Sequence, residues 1–276
     1  MTGGMNAIVP GALPASLKVL ILEDAFNQPL MAGTLPSSLT KLDLNYNFQH
    51  EIPASGDLPS GLLRLSFGHL YNAPLMPGVL PPTLIRLKLG ACFNREIRVG
   101  LLPSSLQSLK FGFNFNQHLP PGCLPQSLKH LTLGWEYIQL ITEDSLPASL
   151  TSLCCCNRLL MRHITPNTFK HCHIHTVSIM DNGTSTSIVI PDSIMFNEHI
   201  STLKVFRPLS ERILLNQYLN TFHAPNVKAA TTLMIYPINN KNIDTRIIRR
   251  LDSSHYLVLK REKFHIGKLT NKRINS

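Results

Sequence analysis

The chain has 276 residues, 43% hydrophobic and 15% charged, which is enough apolar content for a sizeable core and excludes a disordered chain. The formal charge is +10, but residues 1–199 balance 12 Lys+Arg against 12 Asp+Glu, while residues 200–276 hold 14 against 4. The N-terminus lacks the charged and apolar regions of a signal peptide, and no stretch approaches the ~20 apolar residues of a membrane span, so an intracellular, cytoplasmic protein is expected.

Residues 1–12 read as an N-terminal edge, because Val9-Pro10-Gly11-Ala12 already looks like the tail of a repeat. From Leu13 a unit of about 22 residues recurs. Each copy opens on a Leu-Pro pair: Pro14, Pro36, Pro59, Pro81, Pro103, Pro125 and Pro147 follow one another at steps of 22, 23, 22, 22, 22 and 22. A fixed period of this size marks a solenoid, in which each turn contacts only its neighbours.

Behind each Leu-Pro comes the spacing L-x-x-L-x-L, as in Leu39, Leu42, Leu44 and in Leu84, Leu87, Leu89. The last two positions lie two apart and share one face of a strand, so a short strand with inward leucines is expected in every copy. An aromatic follows four residues later (Phe26, Phe48, Tyr71, Phe93, Phe115, Tyr137), then Asn in four copies (Asn27, Asn72, Asn94, Asn116). An aliphatic and a Gly precede the next Leu-Pro. The return path is too short and too rich in Pro for a regular helix, so extended or 3₁₀ structure is expected there. Two readings of the Asn column stand side by side. The side chains bond from turn to turn, or they are solvated turn residues.

A unit of this length cannot bury its own leucines, so it must stack on the next. Equivalent strands then pair in parallel. The expected fold is a β-rich, α/β-like solenoid, a leucine-rich-repeat-like right-handed coil with a parallel sheet on its concave face and irregular, Pro-rich convex segments.

The phrases FNQPL at Phe26, YNAPL at Tyr71, FNREI at Phe93 and FNQHL at Phe115 carry a narrower likeness. With the Leu-Pro pair and the leucine triple they resemble the FNIP repeat, a leucine-rich-repeat-like family. The resemblance covers roughly residues 9–165 and assigns 13–165 to seven such repeats. Many relatives carry an N-terminal F-box that links them to ubiquitin ligases. An F-box is not expected in the twelve residues before Leu13.

Beyond Arg158 the phrase fades but the triple spacing persists at Ile174-Val177-Ile179, Ile200-Leu203-Val205 and Ala230-Leu233-Ile235, with middle positions stepping 24, 26 and 30 residues from Leu153. Residues 166–237 are therefore expected to continue the coil in irregular, degenerate turns, with a helix near 209–222. Residues 238–276 are expected to form a C-terminal cap and basic tail. Within them Ile243–Leu251 reads as a second helix, His255–Glu262 as a final strand, and the tail after Phe264 as frayed.

Positions that alternate with the leucines face outward. One column is Val19, Lys41, Arg64, Arg86, Ser108, His130 and Ser152, and the next is Ile21, Asp43, Ser66, Lys88, Lys110, Thr132 and Cys154. Adjacent strands lie ~4.8 Å apart, so Lys41, Arg64, Arg86, Lys88 and Lys110 converge on one patch, with Asp43 and His130 at its ends. The patch suits an acidic partner, and ordinary solvated charge is the plainer alternative. Beside it Gly68, Gly90, Gly112 and Gly134 read as a flat strip, open to a partner's backbone or easing a bend.

Other candidates are weaker. Cys154-Cys155-Cys156 with His171-Cys172-His173 matches no usual zinc frame, so no metal and no cofactor are expected. No Gly-rich phosphate loop, nucleophile elbow or metalloprotease helix is present, and no catalytic residues are assigned. The expected function is a non-catalytic, monomeric interaction scaffold that binds an unidentified protein partner on the concave face. One alternative is a substrate receptor tied to a ubiquitin ligase in trans. Another is anion or nucleic-acid binding by the basic C-terminal part, disfavoured because aromatics are sparse among those charges.

Overall fold

The computed structural model describes residues 7–22, 25–52, 57–155 and 166–180, and the backbone of five further strands between 202 and 268. Seven strands come from the repeats: β1 (Val19–Ile21), β2 (Lys41–Asp43), β3 (Arg64–Ser66), β4 (Arg86–Lys88), β5 (Ser108–Lys110), β6 (His130–Leu133) and β7 (Ser152–Cys155). Six follow: β8 (Thr176–Met180), β9 (Thr202–Arg207), β10 (Thr232–Pro237), β11 (Arg246–Arg250), β12 (His255–Lys260) and β13 (Lys263–Lys268). All thirteen form one sheet in sequence order.

The repeat sets the register. Leu42 lies beside Leu20 and Leu65, Leu65 beside Leu87, Leu87 beside Leu109, and Leu109 beside Leu131. Every pair from β1 to β10 is parallel, as a coil that returns to the same start demands. The degenerate turns keep the pattern: Leu153 pairs with Val177, Val177 with Leu203, and Leu203 with Leu233. Those are the middle residues of the faded triples, so the leucine-type spacing survives longer insertions between strands.

Two backbone turns explain the punctuation. In each of the seven copies the amide of the first core leucine donates to the carbonyl of the Leu-Pro proline at 3.0–3.1 Å, from Leu17 on Pro14 to Leu150 on Pro147. Proline thus opens a four-residue turn that delivers its chain to the next strand. A second turn closes the unit. Gly78 has φ 80°, and the Val79 amide donates to the Met76 carbonyl at 3.2 Å. This is the third position of a type II turn, where an L side chain is strained, with Pro77 fitting the second. Among the described residues the return path carries turns, with short 3₁₀ turns at Glu143–Ser145 and Pro166–Phe169, and no α-helix.

The core is a set of columns. Leu42, Leu65, Leu87, Leu109, Leu131 and Leu153 of β2–β7 are buried, Leu20 of β1 is half-buried, and behind them the rings of Phe26, Phe48, Tyr71, Phe93, Phe115 and Tyr137 stack at centroid distances of 5.9–6.5 Å. These rings are equivalent atoms in successive turns. Their spacing exceeds the ~4.8 Å between strands, so the coil is longer on the ring side and the sheet lies on its inner, concave face.

Polar groups are arranged in rungs as well. The Oδ1 atoms of Asn27, Asn72, Asn94 and Asn116 accept from the amides of Gln49, Asn94, Asn116 and Ile138 in the next turn at 3.0–3.1 Å. The Asn column is therefore a turn-to-turn ladder, and the solvated alternative falls away. A second ladder was not anticipated. The hydroxyls of Ser38, Thr83, Ser105, Ser127 and Ser149 donate to the carbonyls of Leu17, Leu62, Leu84, Leu106 and Leu128, at 2.7–3.0 Å. Both ladders satisfy loop backbone groups that the short strands leave unpaired.

The C-terminal strands depart from expectation in two places. Residues Arg246–Arg250, read as part of a second helix, form β11, antiparallel to both β10 and β12. The β-branched pair Ile247-Ile248 suits a strand better than a helix, and a paired edge on each side decides it. Residues Lys263–Lys268 form β13 on β12, so the tail expected to be frayed after Phe264 is paired as far as Lys268. The strand expected at residues 255–262 is present as β12. The helix expected near 209–222 lies outside the described residues.

Candidate functional site on the outer face of the sheet

The outward strand positions form the columns that the period implies. Arg64 is flanked by Lys41 and Arg86, and Lys88 lies beside Lys110, as backbone partners on adjacent strands. Arg64, Arg86, Lys88, Lys110 and His130 are exposed, while Lys41 and Asp43 are half-buried. Among the described residues none of the five cations has a carboxylate within ion-pair distance. Arg98 and Glu96, which do pair at 3.1 Å, lie on the return path instead. Asp43 is committed locally, its Oδ1 accepting from the Asn45 amide at 3.2 Å. Like charges on neighbouring strands repel, so these columns give the face a positive potential.

The glycine strip is not open, which corrects that expectation. A Cβ on Gly68 would stand 1.7 Å from the Asn45 carbonyl oxygen. On Gly90, Gly112 and Gly134 it would stand 1.7, 1.9 and 1.8 Å from the carbonyl oxygen of the preceding glycine. The missing side chains are filled by the backbone of the turn before. The strip is a seam that lets successive turns close up against each other. Asn45 begins the column with φ 47°, a left-handed conformation that Asn tolerates.

Immediately after the seam runs a row that sequence reasoning missed: Tyr46, His69, Ala91, Phe113 and Trp135, one from each turn. Tyr46 and His69 stack at 4.6 Å and 8°, and Phe113 and Trp135 at 6.3 Å and 29°. With the seam, Asp43, Lys88 and Lys110 they line a groove of about 450 Å³. No single residue type repeats in the row, so its only signal in the sequence is its place one residue beyond the glycine.

Reactive groups are scarce near this groove. Cys155 is buried in the core, where burial pushes its thiol well above the ordinary value, and Cys123 and Cys172 are raised to about 11 for the same reason. Such thiols are poor nucleophiles and poor metal ligands. Among the described residues no three His, Cys, Asp or Glu side chains converge as a metal site would need. Cys156 lies outside the described residues. Among the described residues no helix is long and apolar enough to cross a membrane.

The model of the FNIP repeat matches five stretches, residues 6–47, 26–70, 48–92, 71–114 and 115–154, the first four overlapping. The chain belongs to the FNIP repeat family. The FNIP repeats thus carry β1–β6, most of β7 and the whole groove. Among solved structures the chain is similar to CroV588, described as a novel circular LRR protein structure, with 29% identity and a TM-score of 0.54. The match covers 76% of this chain and 34% of CroV588, so the chain spans about a third of that protein's length. A search of the curated proteins finds no match. The FNIP solenoid is of a kind typical of interaction scaffolds, in agreement with the leucine-rich-repeat-like likeness.

Proposed function

We propose that the FNIP solenoid is a non-catalytic scaffold that binds an acidic protein partner on the concave face of its sheet, through Lys41, Arg64, Arg86, Lys88 and Lys110. The observation that supports this is the register. It stacks Lys41, Arg64 and Arg86 on consecutive strands with no carboxylate partner among the described residues, and puts Lys88 beside Lys110. Folding alone does not favour such an arrangement, and a partner's carboxylates would relieve it. Asp43 and His130 border the patch and orient the partner rather than attract it.

The test compares the native protein with a variant in which Arg64, Arg86, Lys88 and Lys110 are all changed to Glu. Both are immobilised and presented with polyglutamate, polylysine and cell lysate. The native protein is expected to hold polyglutamate and a discrete set of proteins, with binding that weakens as salt rises. The variant is expected to lose both. Equal capture by the two proteins would remove the concave face from the function.

A further inference from the structure

The aromatic row beside the basic patch is interrupted. Tyr46 and His69 form one stacked pair, and Phe113 and Trp135 form another. Between them the fourth turn supplies only Ala91. The row is held firmly, because its carbonyls accept from the next turn: Leu70 on Tyr46 at 3.0 Å, Cys92 on His69 at 2.9 Å, Asn114 on Ala91 at 2.8 Å and Glu136 on Phe113 at 3.0 Å. The notch at Ala91 is therefore a preformed gap, walled by His69 on one side and Phe113 on the other. It opens into the groove that Lys88 and Lys110 also line.

The dimensions of the gap select its occupant. His69 and Phe113 are two turns apart, so their rings are separated by about 9–10 Å on strand spacing. Stacked ring centroids sit roughly 4.5–7 Å apart. One planar ring placed over Ala91 would be within stacking distance of both walls, and two would not fit. Tyr46 and Phe113 are 46% and 48% exposed, so the row already presents ring surface to solvent.

We propose that the notch over Ala91 anchors a single aromatic side chain of an acidic peptide segment, whose flanking carboxylates pair with Lys88 and Lys110. This rests on the acidic-partner reading of the same face and adds to it a recognised residue type. The charge of the face calls for an anionic partner, and the single vacancy favours a peptide over a nucleic-acid strand. A strand of nucleic acid stacks base after base and needs many phosphate contacts, whereas this row has one vacancy, Asp43 shares the groove, and residues 1–199 carry no net charge.

Trp135 is the chain's one tryptophan and lines this groove, so its emission reports on the site. The probes are the synthetic peptides Glu-Glu-Phe-Glu-Glu and Glu-Glu-Ala-Glu-Glu, a lysine counterpart of the first, and oligo(dT). The Phe peptide is expected to change Trp135 emission and to bind about tenfold more tightly than the Ala peptide, a ring's worth of stacking. Ala91→Phe fills the notch and is expected to remove that preference, so that the Phe and Ala peptides bind the variant equally. The equivalent positions already hold rings, and circular dichroism checks the fold. Changing both Lys88 and Lys110 to Glu is expected to abolish binding of both peptides. Equal affinity for the Phe and Ala peptides, or an undiminished preference in Ala91→Phe, overturns the notch but keeps the acidic-partner reading. Failure of both acidic peptides to bind, or tighter binding of the lysine peptide, overturns both. Stronger binding of oligo(dT) than of the Phe peptide overturns the notch in favour of nucleic acid.

Discussion

Changing Asn94 to Ala removes one rung of the asparagine ladder and tests whether those rungs hold the turns together. Asn94 Oδ1 accepts from the Asn116 amide at 3.0 Å and from Gln117 Nε2 at 3.0 Å. The substitution leaves a partly buried backbone amide without its acceptor and releases a side-chain amide. An orphaned donor costs about 1–3 kcal/mol when fully buried, and partial access to water places this site at the low end, about 1–2 kcal/mol. Each kcal/mol moves Tm by about 2–4 °C in a chain of this size, so a drop of roughly 2–8 °C is expected by thermal circular dichroism. Asn94→Asp keeps the acceptor oxygen and should retain most of the stability. Unchanged Tm in Asn94→Ala would refute the reasoning, because it would mean that water replaces the rung at no cost.

Gly112→Ala should be severe, since its Cβ would stand 1.9 Å from the Gly90 carbonyl oxygen, and reaching the 3.4 Å of ordinary contact would force two turns about 1.5 Å apart. A loss of about 3 kcal/mol or more is expected in a urea melt. Gly61→Ser should act in the opposite direction. Its Cβ would sit 3.6 Å from the Ser37 carbonyl oxygen, and the position belongs to the serine ladder, so the new hydroxyl can donate to the preceding turn; a gain of about 1 kcal/mol is expected in the same melt. Tyr137 occupies the phenylalanine column with its buried hydroxyl lacking a hydrogen-bond partner, and burial drives that hydroxyl's pKa far upward. Tyr137→Phe should therefore raise Tm slightly, by the equivalent of about 1 kcal/mol.

The period carried most of the fold into plain view. Once Leu42, Leu65, Leu87 and Leu109 were seen at one phase, the register followed, because a one-residue slip would turn every leucine to solvent. Even the faded triples around Val177, Leu203 and Leu233 obeyed it. Local pattern was less reliable where tertiary pairing decided the outcome. Ile243–Leu251 has apolar residues at helical spacing, yet strand partners on both sides make its centre β11. At the site, the cation columns could be read from alternation alone. The glycine column was seen but misjudged, since only coordinates show that the previous turn's carbonyls occupy the empty volume. The row Tyr46, His69, Ala91, Phe113 and Trp135 went unseen because its residues share a position and no chemistry. Serines before the first core leucine recur in most copies, a signal that was present and passed over.

The most direct test of the stacked register is a double-mutant cycle on Arg64 and Arg86, backbone partners on adjacent strands. Either single change to Glu should raise thermal stability at low salt, by turning a repulsive neighbour into an attractive one. The double change restores like charges at positions 64 and 86 while the new carboxylate at position 64 still faces Lys41, so its gain should fall short of the sum of the two single gains, a coupling of about 0.2–1 kcal/mol that fades in high salt. Additive effects of the two changes, at low and high salt alike, would contradict the claim that successive turns bring these side chains together.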